Sequence, residues 1–423
     1  MSFRFAHTAD VHLDSPLKGL SAHEGTPVER IRTATREAFA NLVTCVIEEE
    51  ASFLIIAGDL YDGDWRDYQT GLFFIQQIGR LNKAHIPVFI LYGNHDAESQ
   101  ITKRLLLPRN AKAFSTKRPE TFRLDEIGVA LHGQSFRQRD VTENLVPAYP
   151  DPIAKMFNIG VLHTGLGGLG GHANYAPCAL DDLIHKGYDY WALGHVHQRS
   201  VLHEKPHVVF PGNLQGRHIR ELGAKGASLV TVDDLEITDV AFLDVDVVRW
   251  SLVEVSVEGY DRLSDVIDSL RQGIEEAVSR DGQGRLLTCR IQLTGRTEIH
   301  DQVLASKEHL LAEARAAALG LGDEVAWVED ILICTQSMLD QSTLQAREDA
   351  IGELQTLLKT ASEDPALIEQ YRTHIGDMMR KLPHEIRVGV EDTILKTAIN
   401  GDYADLIGAT SDYLMGRLTL ESR

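Results

Sequence analysis

The sequence predicts an α/β protein. Short apolar runs at residues 3–9, 53–57, 87–92, 157–162 and 189–193 have strand length, and the first three alternate with amphipathic stretches at 28–50 and 68–83. Each run also stops abruptly at polar residues rather than fading into a loop. In open α/β sheets, ligands bind beyond the carboxyl ends of the strands, so these five ends are candidates for one site.

The first run ends in Asp10-Val-His12, the second in Gly58-Asp59 and the third in Gly93-Asn94-His95-Asp96. The fourth ends in His163 and the fifth in Gly194-His195-Val-His197. After about residue 245 the pattern changes: 250–257 and 286–293 alternate like strands around a helical stretch at 263–278, as in a small α+β domain. From residue 341 strand signals cease. Leu344, Ile351, Leu354 and Leu358 lie at helical spacing, and a second helix at about 367–382 is stopped by Pro383. The expected organisation is an α/β domain at 1–245, a second domain at 248–338 and a helical region at 341–423, in keeping with a length of 423 residues.

Composition narrows the class. Hydrophobic residues are 43% and charged residues 25%, ordinary globular values, and no apolar run of about 18 residues is present, so no membrane segment is expected. The N-terminal stretch is too short and too polar for a secretory signal, which makes the cytoplasm the expected compartment. Cys45, Cys178, Cys289 and Cys334 are far apart and read as reduced, mostly core thiols. Fourteen of the 18 histidines precede residue 251. The net charge of −20 alone argues against nucleic acid, but residues 251–423 carry 31 acidic and 17 basic residues, against 31 and 25 for residues 1–250. The N-terminal part is thus nearly balanced.

Two residues apart at a strand end, Asp10 and His12 can offer a carboxylate and an imidazole to one cation. Gly58 allows a sharp turn that aims Asp59 at the sheet edge, where a carboxylate could bridge two metals. Asn94 can ligate through its amide oxygen and His95 can transfer protons, while His163, His195 and His197 complete the set. Singly, each is as well explained by packing; in this order, each after an apolar run, they form a series.

That series, Asp-x-His, Gly-Asp-x-x-Asp, Gly-Asn-His-Asp, a strand-end His and Gly-His-x-His, resembles the calcineurin-like metallophosphoesterases over about residues 1–245. The resemblance implies a four-layer αββα sandwich with a small α+β cap and a helical C-terminal tail. It implies that Asp10, His12, Asp59 and His197 hold one metal and Asp59, Asn94, His163 and His195 the other, with Asp59 as bridge and His95 as the acid that protonates the leaving oxygen. Mixed His, Asn and Asp ligands suit manganese, iron or zinc better than magnesium or calcium, and the resemblance points first to manganese. The stretches His7-Thr-Ala-Asp-Val-His-Leu-Asp14, Gly58-Asp-Leu-Tyr-Asp62 and Phe210-Pro-Gly-Asn-Leu-Gln-Gly-Arg217 resemble the bacterial SbcD branch of repair exonucleases, especially its YhaO-like relatives. This implies a DNA nuclease subunit, exonuclease or endonuclease, acting in repair as a homodimer with an SMC-like ATPase (an SbcC-like subunit). The His163-Thr-Gly segment and the long tail depart from the better-known SbcD pattern and leave the partner and the DNA-end preference open.

Other signals carry less. The segment Gly165-Leu-Gly167-Gly-Leu-Gly170 matches a dinucleotide fingerprint, but Gly171-His-Ala-Asn-Tyr-Ala-Pro177 reads as a continuing flexible loop rather than a helix. Lys103, Arg104, Arg109, Lys112, Lys117, Arg118 and Arg123 are a candidate DNA-contacting run, or a solvated loop; Arg217, His218 and Arg220 form a second candidate patch. Asp14, Asp62, Asp64 and Asp96 are expected to support the site or the fold. Two rival functions are a small-substrate phosphodiesterase or protein phosphatase of the same class, and an interaction module with a decayed site; the complete ligand set disfavours the latter.

Overall fold

The computed structural model describes residues 2–17, 28–62, 68–98, 106–167, 175–338, 353, 357, 360–361, 363–382 and 393–408. The chain divides into one unit of residues 1–251, 278–289 and 323–329 and another of 252–277, 290–322 and 330–423. In order, the elements of the first stretch are β1 (Ser2–Thr8), α1 (Val28–Glu48), β2 (Phe53–Ala57), α2 (Tyr68–Lys83), β3 (Val88–Leu91), α3 (Asn94–Glu98), β4 (Ala111–Ala113), β5 (Glu120–Leu124) and β6 (Val129–Gly133). Then come β7 (Phe157–His163), α4 (Leu180–His185), β8 (Tyr190–Gly194), β9 (Ser200–Glu204), β10 (His207–Phe210), β11 (Gly226–Asp233) and β12 (Glu236–Asp244).

These strands form two six-stranded sheets, β12-β11-β1-β2-β3-β4 and β5-β6-β7-β8-β10-β9. The centre of each is parallel: β1 with β2 and β2 with β3 in one, β7 with β8 in the other. Side chains alternate along the strands. Phe3, Phe5, Phe53, Ile55, Phe89 and Leu91 of the first sheet pack in one cluster with Val129, Leu131, Phe157, Ile159, Tyr190 and Ala192 of the second, so the sheets lie face to face. The rings of Phe5 and Phe53 stack with centroids 5.0 Å apart, and Tyr190 meets Phe5 edge-on at 5.2 Å.

The alternate residues point outward. Ala6, Leu54, Ile56, Val88 and Ile90 are covered by Ala38, Phe39, Leu42, Val43 and Val46 of α1 and by Phe74, Ile78 and Leu81 of α2. Those helix positions recur every three or four residues, which is why the two segments are helices with one apolar face. Behind the second sheet, Leu162, Trp191, Leu193 and Phe210 are covered by Leu183 of α4 and by loop residues such as Phe136 and Leu145. Helices, sheet, sheet and a thinner layer of loops with α4 make the expected αββα sandwich. Of the four thiols, which carry no disulfide, Cys178 and Cys289 are buried and Cys334 is exposed.

The remaining elements are β13 (Val248–Ser256), α5 (Leu263–Ala277), β14 (Leu286–Thr297), α6 (His300–Ala305), α7 (Lys307–Gly320), β15 (Ala326–Ser337), α8 (Pro365–Arg380) and α9 (Thr393–Asn400). Strands β13, β14 and β15 form a sheet in that order. In the second unit α5 buries Val266, Leu270 and Ile274 and packs with α7, and Gly273 gives α5 room against Val255. Helix α8 opens on Asp364, whose carboxylate accepts from the backbone of Ala366 at 2.8 Å, with Pro365 in its first turn. Within it Met379 is buried and Tyr371 is exposed; the stripe of Leu344, Ile351, Leu354 and Leu358 lies outside the described residues. Among the described residues no helix is long and apolar enough to cross a membrane.

Candidate metal centre

Beyond Thr8 the chain leaves β1 but stays tied to the segment after β2: Asp10, His12 and Leu13 donate backbone hydrogen bonds to the carbonyls of Gly58, Asp59 and Leu60, each at 3.0 Å. Strand alternation was expected to align Asp10 with His12. Instead both stand past the strand with φ of 50° and 45°, and Asp59 and His195 have φ of 52° and 99°. Non-glycine residues held in the left-handed region cost free energy that the surrounding structure must offset, and such residues concentrate at working sites. Here four candidate ligands share that strain.

One cluster forms around His163, at the end of β7. Its Nδ1 lies 3.0 Å from the Ala57 carbonyl, which can only accept, so Nδ1 carries the proton and Nε2 faces inward. Nε2 meets Asn94 Oδ1 at 3.0 Å and Asp59 Oδ2 at 3.4 Å, neither of which has a proton to give. His195 joins Asp59 and His163 in one potential ligand group. Burial opposes charge on His163, but Asp59 and Asp10 push its imidazole up to about 9. Burial likewise opposes charge on Asp59, yet His163, His95 and His12 hold its carboxyl well below the usual range. The arrangement attracts positive charge to the point between Nε2, Oδ1 and Oδ2, as a metal site must.

Glycines make this closeness possible. A Cβ on Gly93 would stand 2.3 Å from Asp59 Oδ1, and one on Gly58, at φ +103°, would stand 2.2 Å from His163 Nδ1. No other residue fits either place without displacing a candidate ligand.

A second cluster joins Asp10, His12 and His197. The Nε2 atoms of His12 and His197 converge at 3.3 Å, with Asp10 Oδ1 3.8 Å from His197 Nε2. Asp10 also accepts the backbone N–H of His195 at 2.9 Å, which ties the loops after β1 and β8 together. Burial, then Arg217, push the His12 imidazole down to about 3, so it is neutral and free to ligate. His197 Nδ1 lies 2.7 Å from Oε1 of Glu221, a buried carboxylate that the motif reading does not reach. The only acid between residues 205 and 232, standing among Arg217, His218, Arg220 and Lys225, Glu221 leaves that isolation as its one sequence signal.

Between the clusters stands His95, whose Nδ1 is 3.1 Å from Asp62 Oδ1 and whose backbone N–H donates to Asp59 Oδ1 at 3.0 Å. Burial lowers the proton affinity of His95, but Asp62 and Asp59 more than offset it and the net shift is upward. Asp62 also accepts from Ser15 at 2.7 Å. Asp96 accepts backbone N–H groups of Leu60, Tyr61 and Gly93 at 3.2, 2.9 and 3.0 Å, pinning two ligand loops together. Asp14 takes the Arg36 guanidinium through two hydrogen bonds at 2.5 and 2.6 Å, a tie to α1. Asp64 lies outside the described residues.

Of the candidate DNA contacts, Arg217 stands beside the second cluster, with Nη2 3.3 Å from His197 Nδ1 and Nη1 3.9 Å from Asp62 Oδ1. His218 Nε2 lies 3.5 Å from Glu221. Arg220 is exposed, as is Arg109 in the turn before the edge strand β4. In the rest of the basic run, Lys112 lies over the Phe122 ring and Arg123 pairs with Asp125, while Lys103 and Arg104 fall outside the described residues. Gly165–Gly167 follow β7 as loop, without the helix a dinucleotide site requires there, and residues 168–174 are not described.

The chain is similar in sequence to known proteins. It matches the family described as calcineurin-like phosphoesterase over residues 3–199 and the one described as the middle domain of metallophosphoesterase YhaO over residues 250–336. It is 36% identical over 281 residues, 65% of this chain and 67% of the relative, to the Bacillus subtilis protein named uncharacterized metallophosphoesterase YhaO. It is 26% identical over 307 residues, 66% of this chain and 65% of the relative, to the DNA double-strand break repair protein Mre11 of Methanopyrus kandleri. Among solved structures it is similar to a dimetal phosphatase from Danio rerio, at 11% identity and a TM-score of 0.36, over 58% of this chain and 98% of that one.

Proposed function

This chain belongs to the calcineurin-like metallophosphoesterase family, whose members hydrolyse phosphoesters at a dinuclear metal centre, and from that premise we propose that it is a two-metal DNA phosphodiesterase. The observation that carries the proposal is the pair of donor clusters at the strand ends, Asp10-His12-His197 and Asp59-His163-His195, with Asn94 on the second. Their chemistry fits the group: imidazoles, buried carboxylates and an amide oxygen suit manganese, iron or zinc, and the family resemblance puts manganese first. Asp59 is the proposed bridge, since it stands in one cluster and shares an electrostatic field with Asp10 and His12 of the other. Bound there, two divalent cations would supply Lewis acidity toward a phosphate ester and make water acidic enough to attack near neutral pH.

The chain's own residues supply the rest. Asp62 orients the His95 ring and favours its protonated form, so His95 can hand a proton to the departing oxygen. Arg217 presents a guanidinium beside the same cluster, suited to a non-bridging phosphate oxygen. DNA is the substrate because the archaeal relative is named for double-strand break repair, and because Arg217 places a guanidinium at the centre. A role in repair as a homodimer, with residues 341–423 docking an SMC-like ATPase, belongs to the same proposal. Activity of the purified chain with manganese on linear DNA, a DNA hairpin, bis-p-nitrophenyl phosphate and the monoester p-nitrophenyl phosphate tests it. Cleavage of DNA and of the small diester is expected; hydrolysis of p-nitrophenyl phosphate alone would favour a phosphatase instead.

A further inference from the structure

The carboxylate of Glu221 stands at the junction of two parts of the centre. Through Oε1 it is 2.7 Å from His197 Nδ1, and through Oε2 it accepts from the backbone N–H of Arg217 at 2.7 Å and from Asn213 Nδ2 at 2.9 Å. Asn213 Nδ2 in turn donates to the Gln215 carbonyl at 2.8 Å, which fixes its orientation. Glu221 is 6% exposed, and its contacts are given to site residues and to the loop that carries them. Two groups face His197 Nδ1, the Glu221 carboxylate at 2.7 Å and the Arg217 guanidinium at 3.3 Å; the carboxylate is the closer and can only accept, so the proton sits on Nδ1 and the unprotonated Nε2 faces His12 and Asp10.

We propose that Glu221 is a positioning residue that locks His197 in its metal-ligating tautomer and, through the same carboxylate, sets the loop that carries Arg217. The inference rests on the dinuclear reading of the site. Its sharpest consequence concerns the isosteric change Glu221→Gln. The backbone N–H of Arg217 is a fixed donor and claims the amide oxygen, so the amide NH₂ turns toward His197. His197 Nδ1 must then accept, and its proton moves to Nε2, where it blocks ligation. An outer partner of a metal-bound histidine commonly contributes about 10- to 100-fold in metal affinity or activity. Glu221→Ala removes both ties and leaves the tautomer unlocked.

The test is a two-bond ¹H–¹⁵N spectrum of His197 in metal-free protein, paired with Mn²⁺ titration of the same samples. Wild type should show the Nδ1–H tautomer and Glu221→Gln the Nε2–H tautomer, with Mn²⁺ binding weakened about 10- to 100-fold in both variants. A wild-type His197 protonated on Nε2 would overturn the proposal without any variant. So would Glu221→Gln or Glu221→Ala protein that keeps the Nδ1–H tautomer and binds Mn²⁺ as tightly as wild type. Wild type that binds no Mn²⁺ would instead overturn the dinuclear reading, which the tautomer measurement does not depend on.

Discussion

Asp62 Oδ1 lies 3.1 Å from His95 Nδ1, and the same oxygen is 3.5 Å from His12 Nδ1, so one carboxylate faces the proposed acid and a proposed ligand. His95 belongs to neither the Asp10-His12-His197 nor the Asp59-His163-His195 group; with His12 and Asp62 it forms a third whose atoms lie close enough for a metal, so its role is decided by experiment. His95→Asn should lower turnover of a phosphodiester by about 10² to 10⁴ while bound manganese stays unchanged. Rates and metal content measured on one preparation decide the matter; activity lost only together with the metals would assign His95 to ligation.

Gly93 and Gly58 face the Asp59–His163 pair so closely that a methyl group has no room. Gly93→Ala should cost about 1–3 kcal/mol of stability by overpacking and reduce manganese occupancy. Gly128, whose added Cβ would meet open space, is the control: Gly128→Ala should leave metal binding alone even though its φ of 64° strains the backbone. Equal metal content in both variants would mean the crowding at Gly93 is not what shapes the site.

Arg217 should act on the nucleic acid rather than on the metals. A charged hydrogen bond to phosphate contributes about 1.5–3 kcal/mol, so Arg217→Ala should reduce kcat/KM on DNA about 10- to 100-fold. The slope of log affinity against log salt should flatten by about one, with manganese stoichiometry preserved. A salt slope equal to wild type would remove Arg217 from the DNA interface.

His7 is buried beneath the centre, hydrogen-bonded to Tyr190 Oη at 3.0 Å and to the Leu193 carbonyl at 3.1 Å. Burial, only partly countered by the Leu193 carbonyl, pushes it down to about 3, against 6.5 for a free histidine. Below 6.5 the unfolded chain therefore takes up a proton that the folded chain refuses, and the neutral-form stability is lost as pH falls from 6.5 toward 3. The slope from this one group is about 1.4 kcal/mol per pH unit. Urea midpoints at two pH values within that window should fall more steeply in wild type than in His7→Gln; parallel changes would show that His7 does not stay neutral.

Much of this was legible in the residues. The five apolar runs coincide with β1, β2, β3, β7 and β8, because a buried parallel strand is a short continuous apolar segment bounded by turns. The ligand series could be read for the same reason, since each ligand sits where such a run stops. Pairing was not legible: β11 lies antiparallel to β1, with Ser2 opposite Asp233, a register set by packing across the whole domain. Nor did the pattern reveal that Asp10 and His12 converge through left-handed backbone rather than strand alternation. Glu221 escaped because its role depends on where the loop of Asn213 and Arg217 returns, not on any spacing along the chain.

The central claim is that two cations are held at the strand ends with Asp59 between them, and manganese stoichiometry per chain tests it most directly. Purified wild-type protein, titrated with Mn²⁺ and followed by electron paramagnetic resonance or elemental analysis, should bind two ions. Asp59→Ala should lose occupancy at both sites, and His12→Ala, a proposed ligand of one metal, at only one. A wild-type stoichiometry of one or none, or full occupancy of both sites in Asp59→Ala, would contradict the account.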